Sequence, residues 1–195
     1  MPKSALDDLP RLQVRDRQEW RRWLAEHHTD SPGVWLVYHK KHAGIVTVTY
    51  EEAVEEALCF GWIDSKAKSL DADRTMLVFT PRRPGGNWSA SNKERVERLV
   101  AQGLMAEAGL AAIEAAKADG SWTFLDSIEA LLIPEDLAAA LAANPVAQRR
   151  FEAFNDSTKK MILYHIKNTK RPATRAKRIE ETVRLAEQNR WIGQD

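Results

Sequence analysis

The sequence predicts an α+β fold: a small antiparallel sheet packed on helices, followed by an all-α C-terminal region. Three observations predict it. Short β-branched and aromatic runs at residues 34–38, 62–70 and 75–80 are too short for helices and read as strands. Thr49 and Ser91 each stand three residues before a Glu, the spacing of a helix-starting capping box, and Gly61 and Gly103 stand where helices stop. From Met105 onward only helical patterns remain. The change sets a boundary near residues 105–120, with an α+β sandwich domain over 1–105. A helical region over 106–195 then ends in a basic helical hairpin.

The elements follow in order. Trp20, Trp23, Leu24 and His27 recur at helical spacing, so residues 16–27 form a helix that Ser31-Pro32-Gly33 breaks. The strand at 34–38 runs into a turn at 39–44 and a return strand at 45–48. Thr49 and Glu52 then open a helix whose core-facing residues are Tyr50, Val54, Ala57 and Leu58, and which Gly61 ends. The strands at 62–70 and 75–80 are joined by Asp71-Ala72-Asp73-Arg74. The loop Pro81-Arg82-Arg83-Pro84-Gly85-Gly86-Asn87 forbids regular structure, and Ser91 starts the next helix. Later helices run near 107–118, after Pro134, after Pro145, from Ser157 and from Thr174.

Composition narrows the function classes. At 44% hydrophobic and 29% charged residues, the 195-residue chain can build a core while staying polar outside. One cysteine excludes an internal disulfide and a multi-cysteine zinc site. No apolar run approaches the roughly 20 residues of a membrane span. The first eight residues carry no secretory leader, so the expected compartment is cytoplasmic. The net charge of +1 hides an asymmetry: residues 107–144 hold one basic and seven acidic residues, residues 146–195 twelve basic and six acidic. Such a split suits a nucleic-acid face or two parts that neutralise one another.

The stretch Glu56-Ala57-Leu58-Cys59-Phe60-Gly61-Trp62-Ile63-Asp64-Ser65 resembles the signature of the bacterial YdeI/OmpD-associated family, also labelled bacteriocin-protection proteins. Three more segments agree. Phe79-Thr80-Pro81-Arg82 is followed by Asn87-Trp88-Ser89 and Asn92. Ile133-Pro134-Glu135-Asp136-Leu137 is the second. Ser157-Thr158-Lys159-Lys160, followed by Thr174-Arg175-Ala176-Lys177-Arg178-Ile179, is the third. The resemblance spans nearly the whole chain. It implies a frataxin/YjbR-like sandwich in the N-terminal part and a link to envelope stress and antimicrobial-peptide resistance. YjbR-type relatives imply DNA binding, frataxin-type relatives iron handling.

Four candidate sites follow. The first is the surface Trp62, Asp64, Ser65, Lys66, Phe79, Arg82, Trp88, Ser89 and Asn92. Strand alternation puts Asp64, Lys66 and Lys68 on one face. The glycine-rich loop brings Trp88 to a helix start, giving an aromatic, cationic cleft for a small anionic or aromatic ligand. The plain structural alternative is that both tryptophans are core and the serines are caps. Cys59 lies at a helix C-terminus between Leu58 and Phe60, which favours an inert buried thiol. Glu51, Glu52, Glu55 and Glu56 form an acidic helix face that holds a hard cation loosely or is simply solvated. Lys170, Arg171, Arg175, Lys177 and Arg178 form a basic patch for nucleic acid, or dock on the acidic segment. His39 and His42 bracket two lysines, which repel a metal, and His165 lies among apolar helix neighbours. No nucleophile–base pair and no cofactor motif is present, so the reading leans away from an enzyme and expects no cofactor. Its partner is a small molecule or another protein.

Overall fold

In the computed structural model, which describes residues 6–45 and 47–194, strand β2 (Val34–His39) is flanked on both edges. One neighbour is β1 (Arg11–Gln13), which runs parallel to it with Arg11 opposite Trp35. The other is β4 (Arg74–Pro81), antiparallel, with β3 (Trp62–Ser69) antiparallel beyond it. The order is therefore β1-β2-β4-β3. The α+β class is as the sequence predicts, but the sheet is mixed. β1 has one apolar residue in three and carries no strand signal. It joins in parallel because helix α1 (Arg17–His27) supplies the crossover that parallel neighbours require.

Of the return strand expected at 45–48, the described residues Ile45, Thr47 and Val48 are in no strand. Both edges of β2 are taken by β1 and β4, so no edge of β2 is left for this segment. The chain makes a 3-10 turn at Lys41–Ala43, and Gly44 closes it at φ 66°. Val46 lies outside the described residues, as do residues 1–5, where the reading of a missing leader begins, and Asp195. Ile45, Thr47 and Val48 are irregular.

Both faces of β2 are buried, which is why 34–38 reads as an unbroken apolar run. Val34, Leu36 and Tyr38, with Leu77 and Phe79 of β4, face the helices and pack with Trp20, Leu24, Val54, Leu58 and Trp88. Trp35, Val37, Met76 and Val78 face the other way and are covered by Leu6, Leu9 and Leu70. Helix α2 (Tyr50–Cys59) starts with the expected capping box, both of its hydrogen bonds present. Glu56 is only 2% exposed and accepts from Arg17 Nε at 2.5 Å and Arg21 Nη1 at 2.6 Å, tying α2 to α1. Tyr50 does not face the core as expected: it is 52% exposed. Helix α3 (Ala90–Ala101) is capped by Ser89, whose hydroxyl accepts from Asn92 N, so the start lies earlier than Ser91 and uses no Glu.

The chain divides into two units, the first ending at Trp122 and the second starting at Thr123. Helix α4 (Glu107–Asp119), which the sequence assigns to the C-terminal region, packs within the first unit. Its entry is fixed by the N–H of Ala106, which donates to the carbonyl of Cys59 at 3.0 Å. Gly109 then passes so close that an added Cβ would lie 2.2 Å from the same oxygen. The second unit is helical: α5 (Asp126–Glu129), α6 (Glu135–Ala142), α7 (Pro145–Ala153), α8 (Asp156–Lys167) and α9 (Pro172–Glu187). Leu137, Phe151, Ile162, Ile166 and Ile179 form its core.

Gly109→Ala is expected to destabilise the first unit by about 3 kcal/mol, because backbone must move. Gly103→Ala, left-handed at φ 67° but with open space around it, is expected to cost only ~1–2 kcal/mol. Urea unfolding of both variants checks the order. Equal costs would mean that α4 does not need the close approach.

Candidate functional site

The nine residues of the expected aromatic cleft separate into groups. Trp62 is 1% exposed, donates its indole N–H to His28 O at 3.2 Å and meets Trp23 edge-on. Phe79 is fully buried against Trp20. Ser89 caps α3, and Asn92 receives the cap and accepts from Arg95 Nη1 at 3.1 Å. Ser65 and Lys66 are exposed. Arg82 and Trp88 come together as a cation–π pair, the guanidinium carbon 3.5 Å from the ring centroid.

Asp64 takes a different place. The pairing of β3 with β4 slips between Asp64, opposite Phe79, and Ala67, opposite Leu77. Three residues of β3 there span two of β4, so a bulge reverses the side-chain phase. Asp64 and Ala67 share the helix-side face, and the expected alternation of Asp64 with Lys66 and Lys68 does not hold. Asp64 instead accepts a hydrogen bond from Tyr50 Oη at 3.2 Å.

Beside this pair is a pocket of about 660 Å³, between the strands and the irregular stretch before α2. Its walls include Tyr38, His39, Ile45, Val48, Tyr50, Ala67, Met76 and Leu77, with the hydroxyls of Thr47, Thr49 and Thr75. Tyr38 is 9% exposed, and its Oη is buried with no hydrogen-bond partner among the described residues. The same holds for His39 Nδ1. Burial pushes the Tyr38 phenol up, and the charge of Asp64 adds to the shift. Tyr50 is also raised, again by burial first and then by Asp64. The sequence reading missed this pocket. Two of the chain's three tyrosines flank the 39–49 stretch, which is its one signal, and a bulge has none.

Arg82 presents a second unusual feature. Nη1 donates to Asn87 O at 3.3 Å, while Nε and Nη2 are buried without partners among the described residues. Burial lowers its pKa to about 10, opposed by Asp64, so it stays charged at neutral pH.

The other candidates are engaged within the fold. Cys59 is fully buried, and its thiol is pushed up by burial and by Glu56. Glu51 pairs with Arg95 at 2.7 Å, Glu55 with Arg17 and Arg98 at 3.0 Å each, and Glu56 with Arg17 and Arg21. Glu52 closes the capping box. No group of three or more His, Cys, Asp or Glu is placed to hold a metal among the described residues. His42 meets Asp73 at 3.2 Å, a carboxylate contributed from another turn. In the second unit Arg175 forks onto Asp136 at 2.7 and 2.9 Å, and Arg178 donates to His165 O and Thr169 Oγ1. Lys170, Arg171 and Lys177 are exposed. No helix among the described residues is long and apolar enough to cross a membrane.

The family model described as Domain of unknown function (DUF8412) matches residues 12–112, just over half of the chain. The chain belongs to this family. In the DUF8412 match lie β2 to β4 and most of β1, with Tyr38, Tyr50, Asp64 and Arg82, the part in which the resemblance implies a frataxin/YjbR-like sandwich. A second model, described as Bacteriocin-protection, YdeI or OmpD-Associated, matches residues 130–189, from α6 to α9. That match supports the YdeI/OmpD-associated resemblance. No curated protein and no solved structure matches this DUF8412 chain.

Tyr38 and Tyr50 are expected to ionise above the ordinary tyrosine range in the folded protein. Their folded pKa values are raised, so the stability they contribute is complete below the ordinary pKa and is lost as pH rises through the shifted values. Absorbance titration at alkaline pH should show late steps, and Asp64→Asn should move the Tyr50 step back toward the usual value. An unchanged profile in that variant would mean that Asp64 does not act on Tyr50.

Proposed function

We propose that this is a cytoplasmic, non-enzymatic protein of the bacteriocin-protection type that binds a small, flat, largely apolar ligand in the Tyr38–Tyr50 pocket. One observation carries the reading: a buried phenol with no partner on the wall of a ligand-sized pocket. A buried hydroxyl without a hydrogen bond costs about 1–3 kcal/mol, and a ligand atom that supplies the bond removes that cost. The volume of about 660 Å³ falls in the ordinary range for small-molecule sites. Ile45 and Tyr50, 55% and 52% exposed, line the same pocket and offer apolar surface for a ring to cover. The raised phenols stay neutral at physiological pH, which favours a neutral hydrogen-bonding group on the ligand.

The other readings have less support. A frataxin-like iron role rests on Glu51, Glu52, Glu55 and Glu56, whose carboxylates are committed to arginines and to a cap. Nucleic-acid binding rests on Lys170, Arg171 and Lys177, because Arg175 and Arg178 are held inside the second unit.

A thermal-shift screen of neutral aromatic and heteroaromatic metabolites tests the proposal. A hit is expected to raise Tm and to bind Tyr38→Phe about tenfold more weakly, the loss of one hydrogen bond. Tyr50→Ala should weaken it further. A screen with no shift, or hits indifferent to both substitutions, would sink the idea.

A further inference from the structure

Arg82 and the small cavity beside it carry a second inference, independent of the tyrosine pocket. Arg82 is largely but not wholly buried, and the charge of Asp64 offsets only part of that burial, so the cation costs free energy unless its remaining donors are satisfied. Trp88 compensates part of the cost, since its ring lies 3.5 Å from the guanidinium carbon and attracts the cation through its π face. The ring cannot satisfy N–H groups that point along the guanidinium plane. Nη1 reaches a carbonyl, but Nε and Nη2, the two parallel donors of one edge, reach nothing among the described residues. That edge is the fork that receives two oxygens of one carboxylate.

Arg82 lines a partly open cavity of about 90 Å³, bordered by the Gly85-Gly86 turn and by Ala112, Ala115 and Ala116 of α4. The space equals about three water volumes, or one carboxylate with a methyl group. Its small walls come from glycines and alanines, so larger side chains would fill it. Three charged groups line it: Arg82, Arg83 and Asp119. Asp119 is already used, accepting from Gly85 N at 2.9 Å and Ser121 N at 2.8 Å, and it holds the turn in place. The lining charges sum to +1, and Asp64 also acts on Arg82 from outside the cavity, so the site suits a monoanion better than a dianion.

We infer that Arg82 is the receptor of a small carboxylate monoanion, bound edge-on through Nε and Nη2 in the cavity between the Gly85-Gly86 turn and α4. The carboxylate completes the hydrogen bonding that the fold leaves open, and Trp88 holds the guanidinium flat to receive it.

The test follows arginine Nε–H resonances of the ¹⁵N-labelled full chain during titration with sodium acetate, inorganic phosphate and sodium chloride at matched ionic strength. Acetate is expected to shift one Nε–H saturably, phosphate more weakly and chloride not at all. The shifting resonance should vanish in Arg82→Gln. Ala115→Leu places bulk at the cavity and conserves helix propensity, so it should keep Tm while abolishing the acetate response. Tyr38→Phe should leave the response intact, which separates this site from the tyrosine pocket. The inference is overturned if no Nε–H responds to acetate or if chloride gives the same shift. Tighter binding of phosphate, or a response that survives in Arg82→Gln or in folded Ala115→Leu, overturns it equally.

Discussion

The first unit depends on how closely α4 approaches the exit of α2. The carbonyl of Cys59, left without an intrahelical partner at the helix end, accepts the N–H of Ala106 and meets the bare Cα of Gly109. Gly61, at φ 72°, turns the chain there, and its carbonyl receives the N–H of Arg82. Four elements therefore meet within one turn of backbone: α2, β3, the end of β4 and α4. This junction places Arg82 against α4 and starts β3 in the phase that brings Asp64 to the helix side. Residues without side-chain chemistry of their own, two glycines and a carbonyl, set the position of those that have it.

The sheet adds a second constraint. β2 is enclosed by β1 and β4 and covered on both faces, so the segment after it is excluded from pairing. The segment's described residues Ile45, Thr47 and Val48 are irregular and line the pocket beside the sheet. Asp64, just before the bulge in β3, faces the same region, where Tyr50 reaches it from the first turn of α2. A polar pair thus stands at the edge of an apolar pocket, next to a phenol that the fold does not satisfy.

Charge is distributed with a similar economy. The acidic face of α2 is neutralised by arginines of α1 and α3, and the buried Glu56 has two of them. Paired in this way, the carboxylates hold helices together and have little capacity left for a metal. In the second unit Asp136 and Glu129 take Arg175 and Lys160, so part of the charge asymmetry along the sequence is cancelled locally. Against that background an arginine with two buried donors that reach no partner among the described residues is the exception, although Nη1 reaches Asn87 O and the Trp88 indole lies against the guanidinium.

The sequence by itself determined the local structure. The capping box at Thr49, the stops at Gly61, Gly103 and Gly120, the helix starts near Asp16 and Pro145, and the strand runs at 34–38 and 75–80 all rest on interactions within a few residues. It also marked Arg82 and Trp88 as neighbours and Cys59 as packing. What it did not hold is whatever depends on a distant partner. β1 is a strand only because β2 offers an edge, and Ile45, Thr47 and Val48 find both edges of β2 taken. Tyr50 has helical spacing for the core, yet the start of α2 points it at Asp64. The phase of Lys68 against Asp64 reverses through one extra residue that no local pattern records. Both candidate sites arise from such long-range placement, because an unsatisfied hydroxyl or guanidinium is defined by the atoms that fail to reach it. Only the tertiary structure supplies those.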